Sequence, residues 1–263
     1  MSENFSCLTV SVENAVAHIR FARPDLLNRF DEPMHSEFPR ALAWAAEQHT
    51  ELAALVISAE GRAFSAGGDM EMILRANRSK AMRERLLGEG TAIIEGILAL
   101  PFPVIAAVQG AAIGLGASIL GCCDIIVAWR EAKIADPHVV LGLVAGDGGL
   151  IAWSQAVGVT RAKRYLLTGD AITGERAYTM GLVSDLVAAP EEAMPAAFAI
   201  AARIAALPRA GIRGTKRAFS RLTRDLYGAA FELSFAYEME ALAGDELRET
   251  VEAMLKENRE FNK

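Results

Sequence analysis

The chain has 263 residues, 52% of them hydrophobic, enough to bury a large core as one domain or as a domain with an appendage. Its net charge of −6 argues against a polyanionic partner such as nucleic acid, and no run reaches the ~18 uncharged apolar residues of a membrane span. The opening M-S-E-N-F-S-C shows no basic region followed by an apolar run. Cys7, Cys122 and Cys123 fit no disulfide framework, and histidines at 18, 35, 49 and 138 form no metal-binding spacing. A reduced, cytoplasmic protein without metal is expected.

In chain order, Leu8–Val12 and Val16–Phe21 read as a hairpin. A loop, R-P-D-L-L-N-R-F-D, covers Arg23 to Asp31, where Asp31 looks like the N-cap of a helix with Pro33 in its first turn, running to about Gln48. Leu52–Ser58 is the next strand. Met70 to Leu100 is helical in period and ends at Pro101 and Pro103; residues 70 to 80 read equally as a mobile loop. Val104–Val108 is short, apolar and β-branched, a buried strand. Ser118–Cys122 reads as a short helix and Ile125–Ala128 as a strand. Residues 133–140 read K-I-A-D-P-H-V-V, with His138 expected in a strand. Helices are predicted over Gly149–Val157, Thr160–Thr168 and Gly174–Met180, the last stopped by Gly181, and a final strand over Leu182–Val187. From Glu191 onward everything reads as helix, broken at Pro208, around Gly228 and at Gly244. The chain therefore divides into an alternating strand–helix part, 1–190, and a helical part, 191–263, whose amphipathic, alanine-rich helices offer a surface for self-association.

Two glycine turns stand out. One is A-F-S-A-G-G-D, Ala63 to Asp69, between a strand and a helix-like stretch; the other is V-Q-G-A-A-I-G-L-G-A-S, Val108 to Ser118. Glycines let backbone approach a ligand closely, and the first N–H groups of a helix have no internal partner. Two such turns can converge on one oxygen and stabilise a thioester enolate or a tetrahedral intermediate.

These turns, with R-P-D-L-L-N, C-D-I-I-V-A, A-D-P-H-V-V-L-G-L-V-A-G-D-G-G, R-A-K-R-Y-L-L-T-G-D, M-G-L-V-S-D-L-V and G-T-K-R-A-F, form an ordered series over most of the chain. The series resembles the crotonase (enoyl-CoA hydratase/isomerase) superfamily. The resemblance implies an α/β fold, a spiral of β-β-α turns with a C-terminal helical trimerisation region, assembled as a homotrimer or a dimer of trimers. It also implies an acyl-CoA thioester substrate, with coenzyme A present only as part of that substrate and no separate cofactor. Carried onto this chain, the two oxyanion amides are those of Gly68 and Leu115. The CoA moiety would lie against Leu26, Leu27, Asn28, Ala66, Gly67, Gly68, Asp69 and Met70, with Arg29 either on a phosphate or a solvated loop charge.

The chain departs from the family at its chemistry. Where the hydratases carry two glutamates, it has Ser118 and His138, so ordinary two-glutamate hydration is in doubt. Asp147, in G-D-G-G, sits beside a position where some relatives place an active-site aspartate; it is a candidate base, or a cap for the helix that follows. His138 is a candidate proton carrier. Ser118 could orient a water or the substrate, or pair with His138 as a nucleophile. Glu71, Glu89 and Glu95 read as surface charges, and Trp44, Trp129 and Trp153 as core or interface. The expected activity is hydration or isomerisation of an enoyl-CoA with unusual acid–base groups; the alternatives are a thioester hydrolase and a non-catalytic acyl-CoA-binding protein.

Overall fold

The computed structural model describes residues 4–261, with side chains to residue 257. The first two turns of chain are β1 (Leu8–Glu13), β2 (Val16–Phe21) and α1 (Glu32–Glu47), then β3 (Ala54–Ala59), β4 (Ala63–Ser65), α2 (Met70–Arg78) and α3 (Lys80–Ala99). The next are β5 (Val104–Val108), β6 (Ala111–Ile113) and α4 (Leu115–Cys122), then β7 (Ile125–Trp129), β8 (Lys133–Ala135), α5 (Gly149–Val157) and α6 (Val159–Leu166). After β9 (Ile172–Thr173), α7 (Gly174–Met180) and β10 (Asp185–Val187) the chain is helical: α8 (Ala193–Ala205), α9 (Arg209–Leu242) and α10 (Asp245–Phe261). The repeating unit is thus β-β-α. In the pairs β3-β4, β5-β6 and β7-β8 the first strand joins a six-stranded sheet in the order β1-β2-β3-β5-β7-β10, and the second a four-stranded sheet, β4-β6-β8-β9. This is the α/β crotonase-type architecture expected from the sequence.

Apolar runs with no polar alternation, such as Val104–Val108, are buried on both faces, as parallel central strands must be. One face packs against α1 and α3 through an aromatic cluster in which Phe21 meets Phe30 and Phe38 edge-on. The other is covered by α8, whose Ala197 and Ala201 lie on Val56 and Ile105. Trp153 is fully buried in the core, which Trp44 and Trp129 pack against. Cys7, Cys122 and Cys123 are free thiols.

Several sequence expectations need correction. The helix expected over 70–100 is two helices, because the Ser79 hydroxyl accepts from Met82 N at 3.2 Å and starts a new one. The break expected near Gly228 does not occur: α9 runs unbroken for 34 residues, its packed neighbours outweighing the cost of one interior glycine. His138 lies in a 3-10 turn, His138–Leu141, and not in a strand. The final strand is only Asp185–Val187, and α4 begins at Leu115, before Ser118. Asp31 does cap α1, accepting from Met34 N at 3.3 Å. The readings for residues 1–3, 262 and 263 lie outside the described residues.

Candidate active site

Parallel pairing brings the site together. Ala63 and Ser65 of β4 pair with Ala111 and Ala112 of β6, and Ala112 and Ile113 pair with Ile134 and Ala135 of β8. Three parallel strands end at one edge, so the segments that follow them, 66–68, 114–115 and 136–138, lie side by side. The two glycine turns touch. Gly67 sits at φ +86°, and a Cβ there would stand 2.9 Å from the Ile113 carbonyl oxygen, so only glycine fits. Leu115 is the first residue of α4, and among the described residues neither its amide nor that of Gly68 donates to another backbone group.

Beside these turns runs a chain of hydrogen bonds. Asp136 Oδ1 and His138 Nδ1 are 2.5 Å apart, His138 Nε2 lies 3.3 Å from Asp147 Oδ2, and Ser118 Oγ donates to Asp147 Oδ1 at 2.8 Å. All four residues are buried. Burial opposes charge on His138, but the carboxylates of Asp147 and Asp136 and their hydrogen bonds outweigh it and hold the imidazole well above its ordinary pKa. Burial likewise works to raise Asp147, and the His138 charge, with hydrogen bonds from His138 and Ser118, brings it below the usual carboxylate range. Both shifts favour a charged His138 beside an ionised Asp147. Asp136 also approaches the start of α5 so closely that a Cβ on Gly149 would stand 2.0 Å from its Oδ2, a position where the helix dipole favours negative charge.

Asp136, His138 and Asp147 offer donor atoms within 4.8 Å of one another, the spacing of a metal site. The single imidazole lies between the two carboxyls with one nitrogen facing each.

A cavity of about 300 Å³ opens against this chain. Gly68, Leu115, His138 and Asp147 line it, as do Ala66, Gly67 and Met70, and further apolar wall comes from the 137–143 turn and from α2, α3, α9 and α10. The C-terminal helices that close it belong to the same chain. Two titratable residues that sequence reasoning missed also line it: His35 of α1 and Glu238 of α9. Burial lowers His35 to about 4, so it is a neutral imidazole, and its Nδ1 has no hydrogen-bond partner. Burial and the Asp147 charge push Glu238 well above the ordinary carboxyl range, with His138 opposing. One signal for Glu238 was present in the sequence. It falls at i+7 on the buried stripe Phe231, Ser234, Phe235, Glu238, Leu242, where an acid is out of place. For Asp136 the only hint was its place two residues before His138.

The remaining predicted residues divide. Ser118 is fully buried, off the cavity wall, and acts on Asp147; it is not paired with His138, since Asp147 stands between them. Asp147 does not cap α5, whose N-cap is Gly148 with no side-chain hydrogen bond. Asn28 is fully buried at φ +51°, donating to the Glu60 and Ala63 carbonyls at 2.8 and 2.9 Å and accepting from Arg23 N at 2.9 Å, so its side chain is committed to joining two loops. Asp69 caps α2 through Met72 N and pairs with Arg29 at 3.0 Å. Leu26 is exposed and Leu27 half-buried; neither, nor Arg29, lies on the cavity wall. Of the three glutamates read as surface charges, Glu95 pairs with Arg224 at 2.7 Å, and Glu89 is half-buried with its carboxyl pushed upward mainly by burial.

The family model for enoyl-CoA hydratase/isomerase matches residues 11–262. The chain belongs to that family. Among its relatives, the trans-2-decenoyl-[acyl-carrier-protein] isomerase of Streptococcus mutans serotype c is 31% identical over 68% of this chain and 69% of its own length. The crotonyl-CoA hydratase of Syntrophomonas wolfei is 32% identical over 78% of each. Among solved structures, an enoyl-CoA hydratase/isomerase from Mycobacterium paratuberculosis superposes with a TM-score of 0.90 at 31% identity, over 95% of this chain and 100% of that one. Family membership accounts for the two abutting turns. It leaves open which groups of this chain carry the acid–base chemistry.

Proposed function

We propose that this chain catalyses proton transfer on the acyl part of a CoA thioester, shifting an enoyl double bond through an enolate. The thioester oxygen sits on the amides of Gly68 and Leu115, and Asp147 is the base. The observation that carries this reading is the placement of Asp147: a buried carboxyl on the wall of an apolar cavity, 3.3 Å from His138, whose charge favours its ionised form, and held in orientation by Ser118. An α-proton is far less acidic than a carboxylic acid, so transfer to Asp147 proceeds only because the two amides stabilise the oxyanion that develops; one such donor is worth roughly 10²–10³ in rate. Asp136 fixes the tautomer and charge of His138. A thioester hydrolase loses its nucleophile, since Ser118 is neither on the cavity nor paired with the imidazole. The CoA chain would follow Ala66 to Met70, with the nucleotide end over Leu26, Leu27 and Arg29.

The exposed apolar residues of α9, Phe219, Leu222, Leu226, Leu233 and Tyr237, recur at helical spacing along one seam and are each more than half exposed. We read them as the contact between copies in a homotrimer or a dimer of trimers.

The test is Asp147→Asn, assayed with trans-3-hexenoyl-CoA and crotonyl-CoA and by exchange of the substrate α-proton with D2O. Loss of turnover and exchange together, roughly 10²–10⁴-fold with the fold retained, is the expected result. Exchange at the wild-type rate removes Asp147 as the base.

A further inference from the structure

A base alone does not complete the reaction. The proton removed at the α-carbon must be matched by one delivered at the γ-carbon, and the groups that could deliver it are few. Among the described residues, the titratable side chains on the cavity wall are His35, His138, Asp147 and Glu238. His138 is committed on both ring nitrogens to Asp136 and Asp147. Glu238 differs. It enters from α9, while the base enters from the loops after β8, so the two reach one substrate from separate elements. It is 7% exposed, and its Oε2 has no hydrogen-bond partner. That oxygen packs on Gly146, where a Cβ would stand 2.8 Å from it, and the Gly146 N–H donates to the Val144 carbonyl at 2.8 Å.

We propose that Glu238 is a catalytic residue, the general acid that protonates the γ-carbon once Asp147 has taken the α-proton. The proposal rests on the proton-transfer reading above. The step balances within the active site. The Cα–H bond breaks and its proton goes to Asp147, while the electron pair passes into the thioester as a dienolate on the Gly68 and Leu115 amides. The dienolate then collapses: the thioester carbonyl re-forms, the double bond moves to C2=C3, and the γ-carbon takes the Glu238 proton. Asp147 finally returns its proton to the Glu238 carboxylate, and nothing else is consumed.

The two carboxyls are electrostatically linked, which gives the handover its direction. While Asp147 is ionised, the burial of Glu238 and the Asp147 charge, reinforced by Asp136, favour the neutral glutamic acid, opposed by the His138 cation and, more weakly, by the Gly146 backbone amide. When Asp147 accepts the substrate proton that repulsion ends, and Glu238 becomes the stronger acid at the moment a proton is needed. His35, the remaining titratable group on this wall, is neutral and does not compete. Two carboxyls driven in opposite directions by one environment are the usual mark of a base and an acid working together.

The experiment uses the full-length protein with trans-3-hexenoyl-CoA as probe. For Glu238→Gln, which keeps the shape of the neutral acid, turnover should fall roughly 10²-fold or more while α-proton exchange with D2O persists at near the wild-type rate. Turnover within twofold of wild type overturns the proposal, and so does an equal loss of exchange and turnover. A wild-type measurement needs no variant: in a single turnover of α-dideuterated probe, the γ-carbon should carry no transferred deuterium. Transfer of the label would show one group doing both steps and would also overturn it. If wild type neither exchanges nor isomerises the probe, the proton-transfer reading fails and takes this one with it; an active wild type with an unaffected Glu238→Gln sinks this proposal alone.

Discussion

Asn28 gives the sharpest test of the site's construction, because the sequence pointed to a ligand contact and the structure assigns its side chain to the scaffold. In Asn28→Ala, the Arg23 N–H and the Glu60 carbonyl lose their partner, whereas the Ala63 carbonyl keeps a hydrogen bond from Gln109 Nε2 at 3.1 Å. Each orphaned polar group costs about 1–3 kcal/mol. Alanine at φ +51° adds about 1 kcal/mol, since asparagine tolerates the left-handed region and alanine does not. The sum is about 3 kcal/mol at its low end, and for a domain of this size each kcal/mol moves Tm by about 2–4 °C. A fall of about 10 °C in calorimetry is therefore expected. Asn28→Gly should recover about 1 kcal/mol of it by relieving the backbone. Asn28→Asp should be no milder than alanine, because it turns a second oxygen toward two carbonyls. A Tm within 1 °C of wild type, combined with a raised KM for CoA esters, would refute the argument and return Asn28 to the ligand.

Further outcomes follow from the same contacts. The raised pKa of His138 contributes stability that is complete below the unfolded value near 6.5 and disappears as pH rises through the folded value; the lowered pKa of Asp147 contributes above about 3.9 and is lost as pH falls through its folded value. Urea midpoints of His138→Gln should therefore lack the alkaline part of the wild-type decline, and an unchanged alkaline difference between the two proteins would contradict the ion pair. Leu226→Lys, at the middle of the exposed α9 seam, should shift the sedimentation coefficient to that of a single chain; an unaltered coefficient would place the interface elsewhere.

Much of the site was legible because it rests on local chemistry. Glycine at 67 and 114 announces turns that no other residue accepts, and Asp31 before a proline-bearing helical run announces a cap. Asp147 and His138 stood out by residue type within a recognisable series of motifs. The three-residue strands β4 and β6 were not legible, since such strands hold only by pairing with partners about 20 to 50 residues away. The interior glycine of α9 misled for a related reason: propensity is worth about 1 kcal/mol, and tertiary packing overrides it.

By itself the sequence determined the family, the two turns that abut and most of the residues that could carry a proton. The tertiary structure alone decided their states. Whether Asp147 is ionised, Glu238 neutral, or Asn28 free to meet a ligand depends on burial and on neighbours brought from other turns of the spiral. A charge is set by what surrounds it, and those surroundings exist only once the chain has folded.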